Sequence, residues 1–109
     1  MVRLVPERSE IQVKSPPGRI LFKAEKVVVT PGIVDLCVPM GTLEDLVTRH
    51  YKGEWGACDP EDIRENELAL AEKNLRLWSV FIMPRTKTLV WVITEADRSA
   101  TTILLPDEY

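Results

Sequence analysis

At Leu75 the spacing of apolar residues changes, and that change restricts the fold more than any other feature of the chain. Upstream, Leu43, Leu46, Val47 and His50 recur at i, i+3, i+4 and i+7, the stripe of an amphipathic helix. Downstream, Leu75–Met83, Thr88–Thr94 and Thr101–Leu105 are rich in β-branched and aromatic residues, separated by the short polar stretches PRTK and EADRSA. Three consecutive strands with short turns predict an antiparallel meander. Most residues on both of its faces are apolar, so helices must cover one face. The expected class is α+β, a three-stranded or slightly larger C-terminal meander packed against two or three short helices.

Chain punctuation divides the upstream part. Pro31 and Gly32 after Thr30 end an extended run and open a short helix, with Thr30 as N-cap and Pro31 first inside. Pro39 and Gly41 stop it. The helix carrying His50 is expected to start at Thr42, which pairs with Asp45 in a capping-box-like arrangement, and to close at Gly53. In a third helix Asp59 caps, Pro60 follows, and Glu61 and Asp62 suit the positive end of the dipole. Asn74 is the expected left-handed residue at its end. At the front, Arg19–Thr30 reads as extended with Val27–Val29 buried, and Pro16, Pro17 and Gly18 break the chain within Lys14–Arg19. Residues 1–18 are expected to form a short edge strand, in Glu10–Ser15, or a flexible extension.

With 109 residues and 45% apolar content, one domain is expected. The net charge is -3 and unevenly spread: residues 1–30 hold six Lys and Arg against three Glu, and the remainder eight against fourteen acids. An acidic body argues against reliance on non-specific phosphate attraction. Cys37 and Cys58 lack metal-ligand spacing, so neither a metal nor another cofactor is expected, and buried thiols are favoured over a disulfide. No apolar run approaches the ~20 residues of a membrane span. The start lacks the apolar stretch of a secretory signal, so the expected location is the cytoplasm.

Few residues suggest chemistry. His50 is the sole histidine and lies on the apolar stripe of its helix. Its two readings are a core residue hydrogen-bonded in place and a proton-transfer group. Trp55 stands between Gly53 and Gly56, either plugging the core edge or offering a stacking platform. Glu95, Asp97 and Arg98, followed by Ser99, Thr101 and Thr102, form the densest polar constellation. It supplies an acid, a cation and hydroxyls, as phosphodiester cleavage requires, yet Arg98 paired with Glu95 would also make a sound structural turn. Tyr109 either docks back onto the domain or faces a partner.

From Val27 to Tyr109 the chain resembles a family of short bacterial proteins known as plasmid-related. The matching pieces are TPG at Thr30–Gly32, RHYKGEWG at Arg49–Gly56, ENELAL at Glu65–Leu70 and WVITEADRSATTILLPDEY at Trp91–Tyr109. The chain departs from that pattern in having Glu54 where Asp is expected, and in a longer, more basic front end. The resemblance implies origin on a mobile element and no particular reaction.

Two functions compete. The first is a plasmid or phage accessory protein without catalysis, which binds another protein through Trp55, Glu95, Asp97, Arg98 and Tyr109. Such a protein would modulate a host defence or regulatory system such as restriction or CRISPR. The second is a small metal-independent ribonuclease similar in element order to the barnase–EndoU–colicin–RelE group. There His50 and Glu95 would exchange protons while Arg98 stabilised the phosphorane. A protein partner is favoured over nucleic acid. A DNA-binding regulator ranks last, because no helix is rich in Lys and Arg.

Overall fold

A computed structural model describes residues 8–14 and 18–109. The order of elements is β1 (Ser9–Ile11), β2 (Lys26–Val29), α1 (Pro31–Asp35), α2 (Met40–Tyr51), α3 (Pro60–Glu72), β3 (Leu77–Ile82), β4 (Leu89–Thr94) and β5 (Ala100–Leu104), with a final 3₁₀ turn at Pro106–Glu108. The class is α+β. The meander β3–β4–β5 is present, but it supplies three strands of a five-stranded sheet ordered β1-β2-β5-β4-β3. β2 runs parallel to β5, pairing Val27 with Thr101 and Val29 with Ile103, so the sheet is mixed. Val27–Val29 are the buried residues that insert this strand. The edge strand at the front is real but short and sits at Ser9–Ile11; Ser15–Pro17 of the proposed break, and residues 1–7, lie outside the described residues.

One sheet face carries Val27, Val29, Phe81, Val90, Val92 and Ile103 against Leu43, Leu46 and Val47 of α2, which forms the main core. A smaller cluster of Trp55, Ala69 and Leu77 lies beneath α3. Phe22 packs against both clusters, so the two are continuous.

The helix ends depart from expectation in informative ways. α2 begins at Met40 with Pro39 as its cap, and Thr42 lies inside the helix. Pro39 holds an extended ψ of 146°, and the Thr42 and Leu43 amides both donate to its carbonyl. A proline supplies that boundary without any capping side chain. Gly41, expected with Pro39 to stop α1, lies instead in the first turn of α2, because α1 has already ended at Asp35. α3 behaves as expected at its start, where Asp59 accepts from the Asp62 amide at 3.0 Å. At its end the left-handed residue is Lys73, at φ 61°, not Asn74. Lys73 still donates its amide to the Ala69 carbonyl, so the last helical bond forms before the chain turns.

The β3 edge of the sheet is covered at Trp78 and Val80. Asn66, buried in α3, uses both ends of its amide on one strand residue: it donates to the Trp78 carbonyl at 2.7 Å and accepts from the Trp78 amide at 2.9 Å. Two residues on, the Val80 amide donates to the Trp55 carbonyl and the Val80 carbonyl accepts from the Ala57 amide. Gly56 lies between these bonds at φ 70°, and a Cβ there would run into the Val80 carbonyl.

Candidate functional site

His50 points from α2 onto the covered face of the sheet, where Ser79, Thr94 and Thr101 interrupt the apolar pattern of β3, β4 and β5. Its Nδ1 lies 2.5 Å from Ser79 Oγ and its Nε2 2.9 Å from Thr94 Oγ1. Thr94 Oγ1 is 2.7 Å from Thr101 Oγ1, which is 3.2 Å from the Tyr51 hydroxyl. The Ala24 amide donates to that hydroxyl. With Tyr51 accepting there, its own proton is free for Thr101, and the same sense continues through Thr94 to His50 Nε2. That order assigns the ring proton to Nδ1, donating to Ser79.

The whole chain of hydroxyls is sealed. His50 has no exposed surface, and Phe22 and Trp55 turn aromatic edges or faces towards it at centroid distances of 5.0 and 5.8 Å. Burial, with the positive Arg98 adding to it, lowers the His50 pKa to about 3. The ring is therefore neutral at physiological pH. Of the two readings of this residue, the structure gives the core one.

Arg98 has a left-handed backbone, φ 63°, and folds back across its own turn. Nη1 donates to the carbonyls of Leu75 at 2.8 Å, Ala96 at 2.9 Å and Glu95 at 3.2 Å, and Nη2 donates to the Ala69 carbonyl at 3.1 Å. The expected pairing with Glu95 thus uses the Glu95 carbonyl and not its carboxylate. Ala69 lies in the last turn of α3, where the negative end of the helix dipole attracts a cation, and its carbonyl takes Arg98 as a second donor beside the Lys73 amide. Arg98 is a tertiary C-cap. Glu95 and Asp97 are exposed; Asp97 accepts from the Ser99 amide at 2.9 Å, which closes the turn, and the Ser99 hydroxyl together with that amide holds its carboxyl below the usual range.

Trp55 is 8% exposed and stacks on Phe22 at 6.1 Å, so it plugs the smaller core and has no free face for a base. Tyr109 docks back: its ring meets Trp91 edge-on at 5.7 Å and lies 5.0 Å beneath the Arg76 guanidinium. It is nevertheless 63% exposed. Its neighbour Glu108 reaches across to the start of α1. There it accepts from Thr30 Oγ1 at 2.5 Å and from the Gly32 amide at 2.9 Å, and it also accepts from the Leu105 amide at 3.0 Å. Thr30 occupies the N-cap as expected, but Glu108 does the capping. These bonds hold the Glu108 carboxyl below its ordinary range against the opposing effect of its partial burial. Cys37 and Cys58 are both free, but Cys37 is exposed and Cys58 half-buried, so neither is the buried thiol expected.

Among the described residues no hydrogen bond joins His50 to Glu95 or Arg98, and the bonds between Arg98 and Glu95 use the Glu95 carbonyl and not its carboxylate. Surface concavities of about 230 Å³ between α2 and β3, and about 260 Å³ beside Asn66 and Trp78, include none of the three. Both fall below the ~300 Å³ at which small-molecule sites begin. The chain matches no family model, no curated protein and no solved structure.

The quoted segments of the sequence do meet one another, but as joints of the fold. TPG receives Glu108 of PDEY; His50 and Tyr51 of RHYKGEWG meet Thr94 and Thr101; Asn66 and Ala69 of ENELAL hold Trp78 and Arg98. Sequence reasoning passed over Ser79, Thr94, Asn66 and Glu108. The first two carried a readable signal, a polar residue at an inward position of an otherwise apolar strand.

On the opposite sheet face, Trp78, Val80 and Ile82 of β3 stand beside Leu89, Trp91 and Ile93 of β4. Trp78 and Trp91 meet edge to face at 4.7 Å. Ile82 is 56% and its cross-strand partner Leu89 43% exposed. Trp78 and Trp91 are half-buried and Val80 and Ile93 buried, and among the described residues Tyr109 and Arg76 close over one end of this face.

Proposed function

We propose that this chain is a non-enzymatic accessory protein that works by holding another protein. The state of Arg98 carries the reading. A ribonuclease of the kind weighed above needs a cation free to meet the charge developing on phosphorus, and a base within reach of the substrate hydroxyl. The Arg98 guanidinium is committed to four carbonyls, and the His50 ring is walled in. Freeing the ring would leave the buried Ser79 hydroxyl without its partner, and freeing the guanidinium would leave the half-buried Leu75 and Ala96 carbonyls without theirs, at a cost of about 1–3 kcal/mol each. What the surface offers instead is an apolar sheet face, with exposed Glu95 and Asp97 at one border and Tyr109 over it. Open aromatic and aliphatic patches of this kind suit protein recognition.

The resemblance of Arg49–Gly56 and Trp91–Tyr109 to plasmid-related proteins supports a mobile-element setting. In it, the partner belongs to a host defence or regulatory system in the cytoplasm, of which restriction and CRISPR effectors are examples. The experiment has two arms. Purified protein is incubated with structured and single-stranded RNA from pH 4 to 9, and no cleavage is expected. In parallel, candidates recovered with the tagged protein from its own host are purified and recombined, and one should form a complex of fixed stoichiometry. RNA cleavage that disappears in His50→Ala, or failure of every candidate to recombine, removes the proposal.

A further inference from the structure

The β3–β4 hairpin has an unusual charge. Between Leu75 and Thr94 it contains Arg76, Arg85 and Lys87 and not one Asp or Glu. Three of the fourteen Lys and Arg fall there with none of the seventeen acids, so the rest of the chain holds eleven bases against seventeen acids. Helix α3, which packs on β3, shows the contrast, with five acids and one Arg between Pro60 and Glu72. None of the three hairpin cations has an ion-pair partner among the described residues. All three are exposed.

Their positions bracket the open apolar face. Arg76 precedes the first residue of β3 and lies over Tyr109; Arg85 and Lys87 lie in the turn between Ile82 and Leu89. The six residues of β3 separate the two ends, by about 20 Å at ~3.3 Å per residue. Between the ends run the exposed Ile82 and Leu89 and the half-buried Trp78 and Trp91, with Val80 buried among them.

We infer that this hairpin face is the docking surface for an acidic protein segment, one with apolar side chains in its middle and carboxylates about 20 Å apart at its ends. The spacing corresponds to about 13 residues of α-helix or six of extended chain. Charge complementarity decides the sign of the partner: Arg85 and Lys87 attract carboxylates to a hairpin that has none of its own. At the other end Arg76 acts against Asp62 and Glu65, which share a concavity with it and Trp78. Aliphatic tips at Ile82 and Leu89, and tryptophans already turned edge to face, suit protein side chains better than nucleobases, which stack on open ring faces. The inference rests on the protein-binding reading above and adds the place and the chemistry.

The test uses the full chain and two synthetic helical peptides of about 14 residues with one shared Leu/Phe stripe, one flanked by Glu and the other by Lys. Binding is read from peptide anisotropy and from tryptophan emission. The Glu peptide should bind, at least tenfold more tightly than the Lys peptide, and lose affinity with added salt. Arg85→Glu with Lys87→Glu, exposed turn changes that leave the core intact, should reverse the preference. Ile82→Glu with Leu89→Glu should abolish binding of both. Equal affinity for the two peptides, or none for either, overturns the inference. So does displacement of the Glu peptide by a thymidine oligonucleotide, or a dimer by sedimentation that Ile82→Glu disrupts. A recombined partner complex that persists in the charge-reversed protein sinks this inference while leaving the protein-binding reading intact.

Discussion

His50 shows how one residue can be the most reactive on paper and the least available in the fold. Its ring joins three strand hydroxyls and a tyrosine into a continuous path that stops short of solvent. The consequence is measurable through acid. The folded-state pKa near 3 lies below the unfolded value near 6.5. The unfolded chain therefore binds the proton first, and the stabilisation from a neutral His50 is whole above about pH 6.5 and is lost as pH falls towards 3. The full span is about 3–5 kcal/mol. Urea unfolding at pH 7, 5.5 and 4.5 should show a steady fall in stability, and His50→Gln should flatten that slope while lowering stability at pH 7. Parallel slopes in the two proteins would refute the assignment. The sequence placed His50 on the buried stripe of its helix, but its partners lie 29 and 44 residues away, where no local spacing reveals them.

Among the elements, α3 makes the most of a single side chain. Asn66 gives the outer edge of β3 the donor and acceptor that another strand would supply. Replacing it by Leu keeps the volume, leaves the Trp78 amide without a partner and leaves its carbonyl only the weak Cys58 thiol donor at 3.3 Å, which should cost about 1–3 kcal/mol. Amide exchange at Trp78 should then quicken far more than at Val80, whose bonds to Trp55 and Ala57 persist. Uniform acceleration across β3 would mean that Asn66 acts only as bulk. The elements themselves were largely legible in the chain: the period change located β3, β4 and β5, and Asp59 and Pro60 located the start of α3. Arg98 was legible only as a turn residue. Its role as a cap for α3 depends on the hairpin bringing it beside Ala69, a tertiary event that outweighed its pairing with the Glu95 carboxylate.

At the scale of the whole molecule, the parallel pairing of β2 with β5 joins residues more than seventy positions apart. Neither the helices nor the meander completes the sheet until this closure is made, and contacts of such separation slow folding. Phe22 adds a second long-range tie by packing on both cores. The protein should therefore unfold as one unit, with near-ultraviolet, far-ultraviolet and tryptophan signals superimposing in urea. Phe22→Ala should lower stability by about 3–5 kcal/mol. Separate transitions for helix and sheet signals would contradict the single core. The meander was foreseeable because its strands are consecutive and turn directly into one another. The parallel insertion of β2 was not, because Val27–Val29 announce a buried strand without naming its neighbour.

The Asn66 amide also governs how the molecule behaves in a crowd. A bare strand at the rim of a sheet is a template on which another chain can crystallise backbone to backbone, the first step towards a fibril. Here that rim is occupied from within the same molecule, at Trp78 by a side chain and at Val80 by a loop. Templated growth from this border would first have to evict a residue fixed in a helix.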